Sequence, residues 1–273
     1  MMGKVVANPG STLGEAIGAV VEQRVHTLIR PIAEDLEYGY NTVGRPDPRT
    51  GKPRQLKVCD DFGNEYLVDA VVVNERSQPI ALIESKYIRY TKHNRDKASW
   101  ICNAHLHLRR RFPTIRQSIA VLVGRWSQPS KIMLSSFGTT YFEVGFDHLA
   151  ETLSQSGIDV SWKEKDRDKA HEAWQRWEIL ADHDYARIGE QLLQPIEQDL
   201  SVRLKDKLAP AAPRVIEQVE IVIRTSLGEM RRYPFTTLEA ATTFLDALNP
   251  ATLLADAGGP ALWDKPSIAD ETD

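Results

Sequence analysis

The sequence predicts an α/β protein with a mixed sheet, and three observations carry that prediction. Residues 12–30 repeat apolar side chains at helical spacing. Residues 65–73 and 80–86 are short runs rich in Val, Ile and Leu, joined by a polar turn. Helix-like stretches then alternate with apolar runs at 118–123 and 140–144, which adds parallel or mixed strands to an antiparallel start. With 42% of 273 residues hydrophobic, the chain can bury a sizeable core. It divides into a core over 1–157 and an extension over 158–273, built of helices and a β-hairpin and packed on that core.

Thr12 followed by Glu15 fits a capping box and sets the start of the first helix. Leu13, Ile17, Val20, Val21, Val25, Leu28 and Ile29 form its apolar stripe. Pro31 kinks it, and helix resumes to residue 36. Gly, Pro, Asn and Asp make 38–53 a loop with a short strand at its start. Strands follow at 56–60, 65–73 and 80–86 as an antiparallel meander, the last two apolar on both faces and so covered on both. A helix spans 94–111, a strand 118–123, a short helix 129–137, a strand 140–144 and a helix 146–153.

From Trp162 to about 208 the chain is polar and helical, with Pro195 as a kink or a break. Trp174 and Trp177 are packing residues of this region. LAPAAPR at 208–214 is a connector. Alternation at 215–225, a turn at Leu227-Gly228 and the run 230–235 read as a hairpin, followed by a helix over 237–248 that starts at a Thr cap. The end from Asp256 is expected to fray.

The net charge of −4 gives no global basic signature. Cys59 and Cys102 lack CxxC spacing, which argues against a zinc site or a disulfide framework and for a reducing cytoplasm. The first residues do not resemble a signal peptide, and no run approaches the roughly 18 apolar residues of a membrane helix. There is no Walker-type phosphate loop.

The chemistry concentrates in residues 66–86. Asp69 sits inside one apolar run, and Glu84 and Lys86 close the next. A carboxylate among valines is costly unless paired. Strand alternation puts Glu84 and Lys86 on one side and Ser85 on the other, with Asp69 across the turn. Two hard carboxylates suit Mg2+, and Lys86, its pKa lowered by burial and a nearby cation, can orient or deprotonate water. That combination fits hydrolysis of a phosphodiester. The alternative is a plain salt-bridge cluster at a strand end.

Asp69, the Glu84-Ser85-Lys86 triplet, a preceding helix with Glu22 and a following helix and strand resemble the PD-(D/E)xK nuclease superfamily. Its restriction-endonuclease-like α-β-β-β-α-β core would cover residues 11–123, a little under half of the chain. The resemblance implies Asp69 and Glu84 as ligands of Mg2+ (with Mn2+ as a substitute) and Lys86 as catalytic. Glu22 matches the extra carboxylate some members carry, as a possible second-site ligand. Glu15 is the other candidate for that role, though its capping position explains it structurally. Val68 stands where the family name has Pro, and Ser85 where an apolar residue is usual.

Residues 86–131 hold eleven cations and one acid, a local charge of +10. Such a stretch suits phosphate contacts through Arg89, Lys92, Arg95 and Lys97. Arg109–Arg111 also complement a helix dipole. Arg224, Arg231 and Arg232 on the later hairpin are further candidates for DNA contact. His105 and His107 fall on different helix faces, which argues against a shared metal, and Asp60 and Asp61 read as turn residues.

The expectation is therefore a magnesium-dependent endonuclease acting on double-stranded DNA, most like a stand-alone Type II restriction endonuclease. A homodimer is expected if it cuts a palindrome. The alternatives are a structure-specific repair, junction-resolving or phage-defence nuclease, and a non-catalytic DNA-binding protein on the same fold.

Overall fold

The structure is a computed structural model that describes residues 8–44, 54–163, 165–209, 214–255 and 262–263. The loop expected at 45–53, the middle of the connector and most of the tail from Asp256 lie outside the described residues. Two compact units are present, 1–212 and 213–273.

Helix α1 (Pro9–Asp35) begins earlier than the capping-box reading places it. Asn8 is the N-cap, its side chain accepting from Ser11 N at 3.3 Å, and Pro9 takes the first turn, where a missing N–H costs nothing. The Thr12 hydroxyl instead donates to Asn8 O, so Thr12 and Glu15 form no box. The helix runs through Pro31 to Asp35. An internal proline costs about 3 kcal/mol, and burial of Ile29, Ile32 and Ala33 on either side of it offsets that cost.

Strand β1 (Gly39–Asn41) follows, then the two-residue pair β2 (Val43–Gly44) and β3 (Arg54–Gln55). Strands β4 (Lys57–Cys59) and β5 (Glu65–Leu67) form their own antiparallel ladder. Strand β6 (Ala70–Val73) is a separate element. The single strand expected over 65–73 is thus two strands with different partners, because Val68 N continues the β4–β5 pairing by donating to Leu56 O and the chain then bends at Asp69. The expected meander of 56–60, 65–73 and 80–86 is replaced by β1, β6 and β7 (Pro79–Ile88).

Helix α2 (Asn94–Arg111) connects β7 to β8 (Gln117–Gly124), then α3 (Gln128–Ser136), β9 (Thr140–Gly145) and α4 (Phe146–Ser154) follow. The main sheet has the order β1-β6-β7-β8-β9. Its first two pairings are antiparallel and its last two parallel, as a helix crossover between β7 and β8 requires.

Alternation sorts the sheet's two faces. Ile83, Ile119, Val121 and Val123 face a core built with α1, α4, α5 (Arg167–Glu178) and α6 (Asp182–Leu208). Leu82 meets Ala104 and Leu108 of α2 on the other face, while Ala120 and Leu122 meet Ile101 of α2 and Leu134 of α3. Helices α5 and α6 therefore share the core of the first unit, which extends past residue 157 to 212. Pro195 neither splits nor ends α6, which is continuous over 27 residues. Trp177 is buried and Trp174 packs against the same core.

The second unit is the hairpin β10 (Val219–Arg224) and β11 (Met230–Phe235), then α7 (Leu238–Ala247) and α8 (Pro250–Ala255). Thr237 caps α7 through Ala240 N. Tyr233 and Phe235 pack on Phe244 with ring centroids 4.6 and 5.2 Å apart. Among the described residues no helix is long and apolar enough to cross a membrane.

Candidate active site

The β6–β7 ladder stops at the pair Ala70 and Ile83. Beyond it β7 runs on to Ile88, paired only with β8 among the described residues. Side chains take over where the ladder rungs end. Asp69 N donates to Glu84 Oε2 at 3.3 Å, and Ser85 N donates to Asp69 Oδ2 at 2.7 Å. The Ser85 hydroxyl adds a second bond to that Asp69 oxygen at 3.1 Å. Asp69 is therefore fixed by its position at a strand junction, where simple alternation does not reach. Ser85, assigned to the opposite side by parity, contacts the carboxylate after all.

Lys86 completes the cluster. Its ammonium lies 3.4 Å from both Asp69 oxygens and forms a close ion pair with Glu84 Oε1. Glu84 is 1% exposed, and Lys86 is 24% exposed. Burial, with a smaller push from Asp69, raises Glu84 to about 7 against the pull of Lys86. Burial draws Lys86 down, but the Glu84 and Asp69 carboxylates outweigh it and hold the ammonium above its ordinary range. This reverses the lowered pKa expected from the sequence, because carboxylates rather than cations are its nearest neighbours.

The cluster faces a cleft of about 750 Å3, which Glu22, Gln55, Lys97 and Trp100 also line. Glu22 reaches it from α1, but its carboxylate is engaged with His26, 3.4 Å away, whose other ring nitrogen meets Tyr40 OH at 2.9 Å. The bond from His26 lowers the Glu22 pKa, with Lys86 contributing from across the cleft. Glu15 lies outside this cleft. Among the described residues no group of three or more His, Cys, Asp and Glu side chains is arranged to hold a metal ion.

The basic stretch is more structural than its charge suggests. Arg109 donates to Phe137 O and to Gly138 O, and Arg111 to Cys59 O and Asp60 O, both at 2.8 Å. Arg116 donates to Leu208 O and Ala209 O, and Lys131 pairs with Glu143 at 2.7 Å. Arg125 lies over the Phe146 ring at 3.6 Å. Arg89 donates to Trp162 O and stacks on its ring at 3.4 Å.

Of the predicted contact residues, Lys97 lines the cleft, Arg89 and Lys92 line an adjoining cavity, and Arg95 is exposed on α2 and lines neither. In the second unit, Arg224 and Arg232 share one face of the hairpin, where Arg232 pairs with Glu220 at 3.1 Å, while Arg231 lies on the face of Tyr233. His105 contacts Ser118, whereas His107 stacks on Tyr66 beside Asp60, so the two histidines do not converge.

Sequence reasoning missed Ser85 and Trp100. A small hydroxyl inside an apolar run signalled the first. The second had a weaker signal, one turn beyond Lys97 on the same helix.

No known family profile matches this chain, and no curated protein does. A search of solved structures finds the crystal structure of a protein of unknown function, AF1548, at 12% identity. That likeness covers 70% of this chain and all of the other at a TM-score of 0.30, a level that carries no inference.

Proposed function

We propose that this protein is a magnesium-dependent nuclease that hydrolyses DNA phosphodiester bonds, with Asp69, Glu84 and Lys86 as its catalytic set. One observation carries the reading: two carboxylates and an ammonium meet in an open cleft where β6 leaves β7. Burying Glu84 there costs stability, and a purely structural pair would gain nothing from opening onto a cleft.

The residues fit a divalent cation. Asp69 and Glu84 already share one cation, the Lys86 ammonium, and offer only hard oxygens. Mg2+ is commonly held by one or two carboxylates and completes its shell with water and phosphate, so two protein ligands suffice. Asp69 and Glu84 would hold it, with Glu22 as a further carboxylate for a second site and Mn2+ as a substitute. Bound there, the metal would acidify water and neutralise charge on the phosphoryl group. Lys86 acts as a charged donor, orienting a phosphate oxygen or the attacking water.

The PD-(D/E)xK resemblance implies a restriction-endonuclease-like core, for which this reading takes α1, β1, β6, β7, α2 and β8, with β2–β5 inserted between β1 and β6. The hairpin unit that follows the core suits a Type II restriction endonuclease on double-stranded DNA, working as a homodimer if its site is a palindrome. A structure-specific nuclease is the second reading, favoured by the second cavity beside the cleft, which Arg89, Lys92 and Arg167 line. Digestion of methylation-free genomic DNA with Mg2+, followed by sequencing of the ends, tests the proposal. Ends at one short sequence support restriction, and cutting confined to branched substrates supports the second reading. No cutting with Mg2+ or Mn2+ removes the catalytic assignment.

A further inference from the structure

A second cavity, of about 730 Å3, adjoins the cleft and shares Glu22 and Lys86 with it. One wall is the first half of α1, where Gly10, Gly14 and Gly18 recur every four residues and so share a face. The facing wall is the end of β7 and the chain after it, with Arg89 and Tyr90, together with Trp162 and Arg167.

The fold does not require those glycines. A Cβ on Gly14 or Gly18 would lie 3.5 or 3.9 Å from Tyr87, and one on Gly10 would lie 3.8 Å from Ala170, all ordinary contacts. Glycine inside a helix is destabilising relative to alanine. Side chains longer than alanine at these three positions would enter the cavity they line.

The channel's chemistry is that of a nucleic-acid strand. Arg89 stacks on the buried Trp162 at 3.4 Å while donating to Trp162 O, which fixes its charge at the groove, and lies 5.0 Å from Tyr90, the half-buried ring left to face a strand. Arg167 is exposed and, among the described residues, forms no ion pair. Lys92 adds a third cation, against the carboxylates Glu15 and Glu22. A positive groove interleaved with aromatic rings is how proteins track unpaired strands. The volume is on the scale of a small-ligand site, with room for a nucleotide or two.

We propose that this groove is the path of one DNA strand at the scissile phosphate, so that the enzyme takes substrates with an unpaired segment there. The inference rests on the nuclease reading in its second, structure-specific form rather than its Type II form, and names the substrate class of that form.

The test is binding without divalent metal, which separates the groove from catalysis. The probes are a fluorescein-labelled single strand of about 12 nucleotides, within usual single-strand site sizes, and the same strand annealed to its complement. The single strand binds more tightly than the duplex. Gly14→Glu plugs the channel with an anion and weakens single-strand binding about tenfold or more, equivalent to about 1.4 kcal/mol, whereas Gly14→Ala binds as wild type. Arg167→Ala lowers the slope of log affinity against log salt by about 0.7, one phosphate contact on a single strand. Equal or tighter binding of the duplex overturns the proposal, as does wild-type binding by both Gly14→Glu and Arg167→Ala. Those results would leave the cleavage assignment standing. If instead the binding pattern holds but no metal supports cutting, the nuclease reading fails and the strand path remains.

Discussion

The backbone N–H and the hydroxyl of Ser85 both donate to one oxygen of Asp69, at 2.7 and 3.1 Å. The strand that carries Glu84 and Lys86 therefore also aims the remaining carboxylate. Ser85→Ala keeps the N–H bond and deletes the other. It is expected to cost about 0.5–1.5 kcal/mol of stability, and DNA cleavage should slow by about two- to tenfold. Denaturant titration and single-turnover cleavage measure the two effects. A variant with wild-type rate would assign the aiming to the backbone alone.

Lys86 neutralises a carboxylate that is 1% exposed. Lys86→Ala leaves Glu84 buried without its cation and should lower stability by up to about 3 kcal/mol, the low end for buried pairs because Lys86 itself is partly exposed. Adding Glu84→Gln to that variant removes the uncompensated charge and should recover most of the loss. Urea midpoints of the single and double variants decide this, and equal midpoints would show that the pair contributes little.

Asp60 orders the turn between β4 and β5 and is 2% exposed. Burial pushes its carboxyl up, but bonds from the Asn64 side chain and backbone, Phe62 N and Tyr66 OH outweigh that and hold it at about 2. The unfolded chain, with an ordinary value near 4, binds its proton first as pH falls. This stabilisation is therefore complete above about pH 4 and is lost between about 4 and 2. His107, 3.6 Å away, adds to it when protonated. Asp60→Asn should flatten the stability profile in that window, as read by denaturation at stepped pH.

His105 is buried on α2, with Nδ1 2.5 Å from Ser118 Oγ and Nε2, among the described residues, without a partner. Burial first, then the Arg109 and Lys86 charges, lowers its pKa to about 3. The unfolded chain takes up this proton near 6.5 while the folded chain refuses it, so stability falls as pH drops from about 6.5 toward 3. His105→Leu should remove that slope and leave the Asp60 window unchanged. A slope that persists in His105→Leu would place it on another group.

Much of this was legible because it is local. Helix α2 occupies 94–111 as its pattern indicates, and Glu84 and Lys86 share a face because strand parity is a backbone property. The bend at Asp69 was not, since it depends on β5 finding its partner in β4 while β6 pairs with β1 and β7. The same limit applies to charge. Arg109, Arg111 and Arg116 count as cations in sequence, yet each is spent on backbone carbonyls of distant segments. Lys86 shows it too, because Glu84, two positions away, and Asp69, seventeen positions away, together raise its pKa against the burial that lowers it.

Single-turnover cleavage of DNA by wild type, Asp69→Asn and Lys86→Ala, with and without Mg2+, tests the central claim most directly. The account predicts Mg2+-dependent cutting by wild type. It also predicts a loss of at least about a hundredfold in each variant, the scale of removing a group that stabilises transition-state charge, with DNA binding retained. Cutting by Asp69→Asn or Lys86→Ala at the wild-type rate, or by wild type equally well in a chelator, would contradict it.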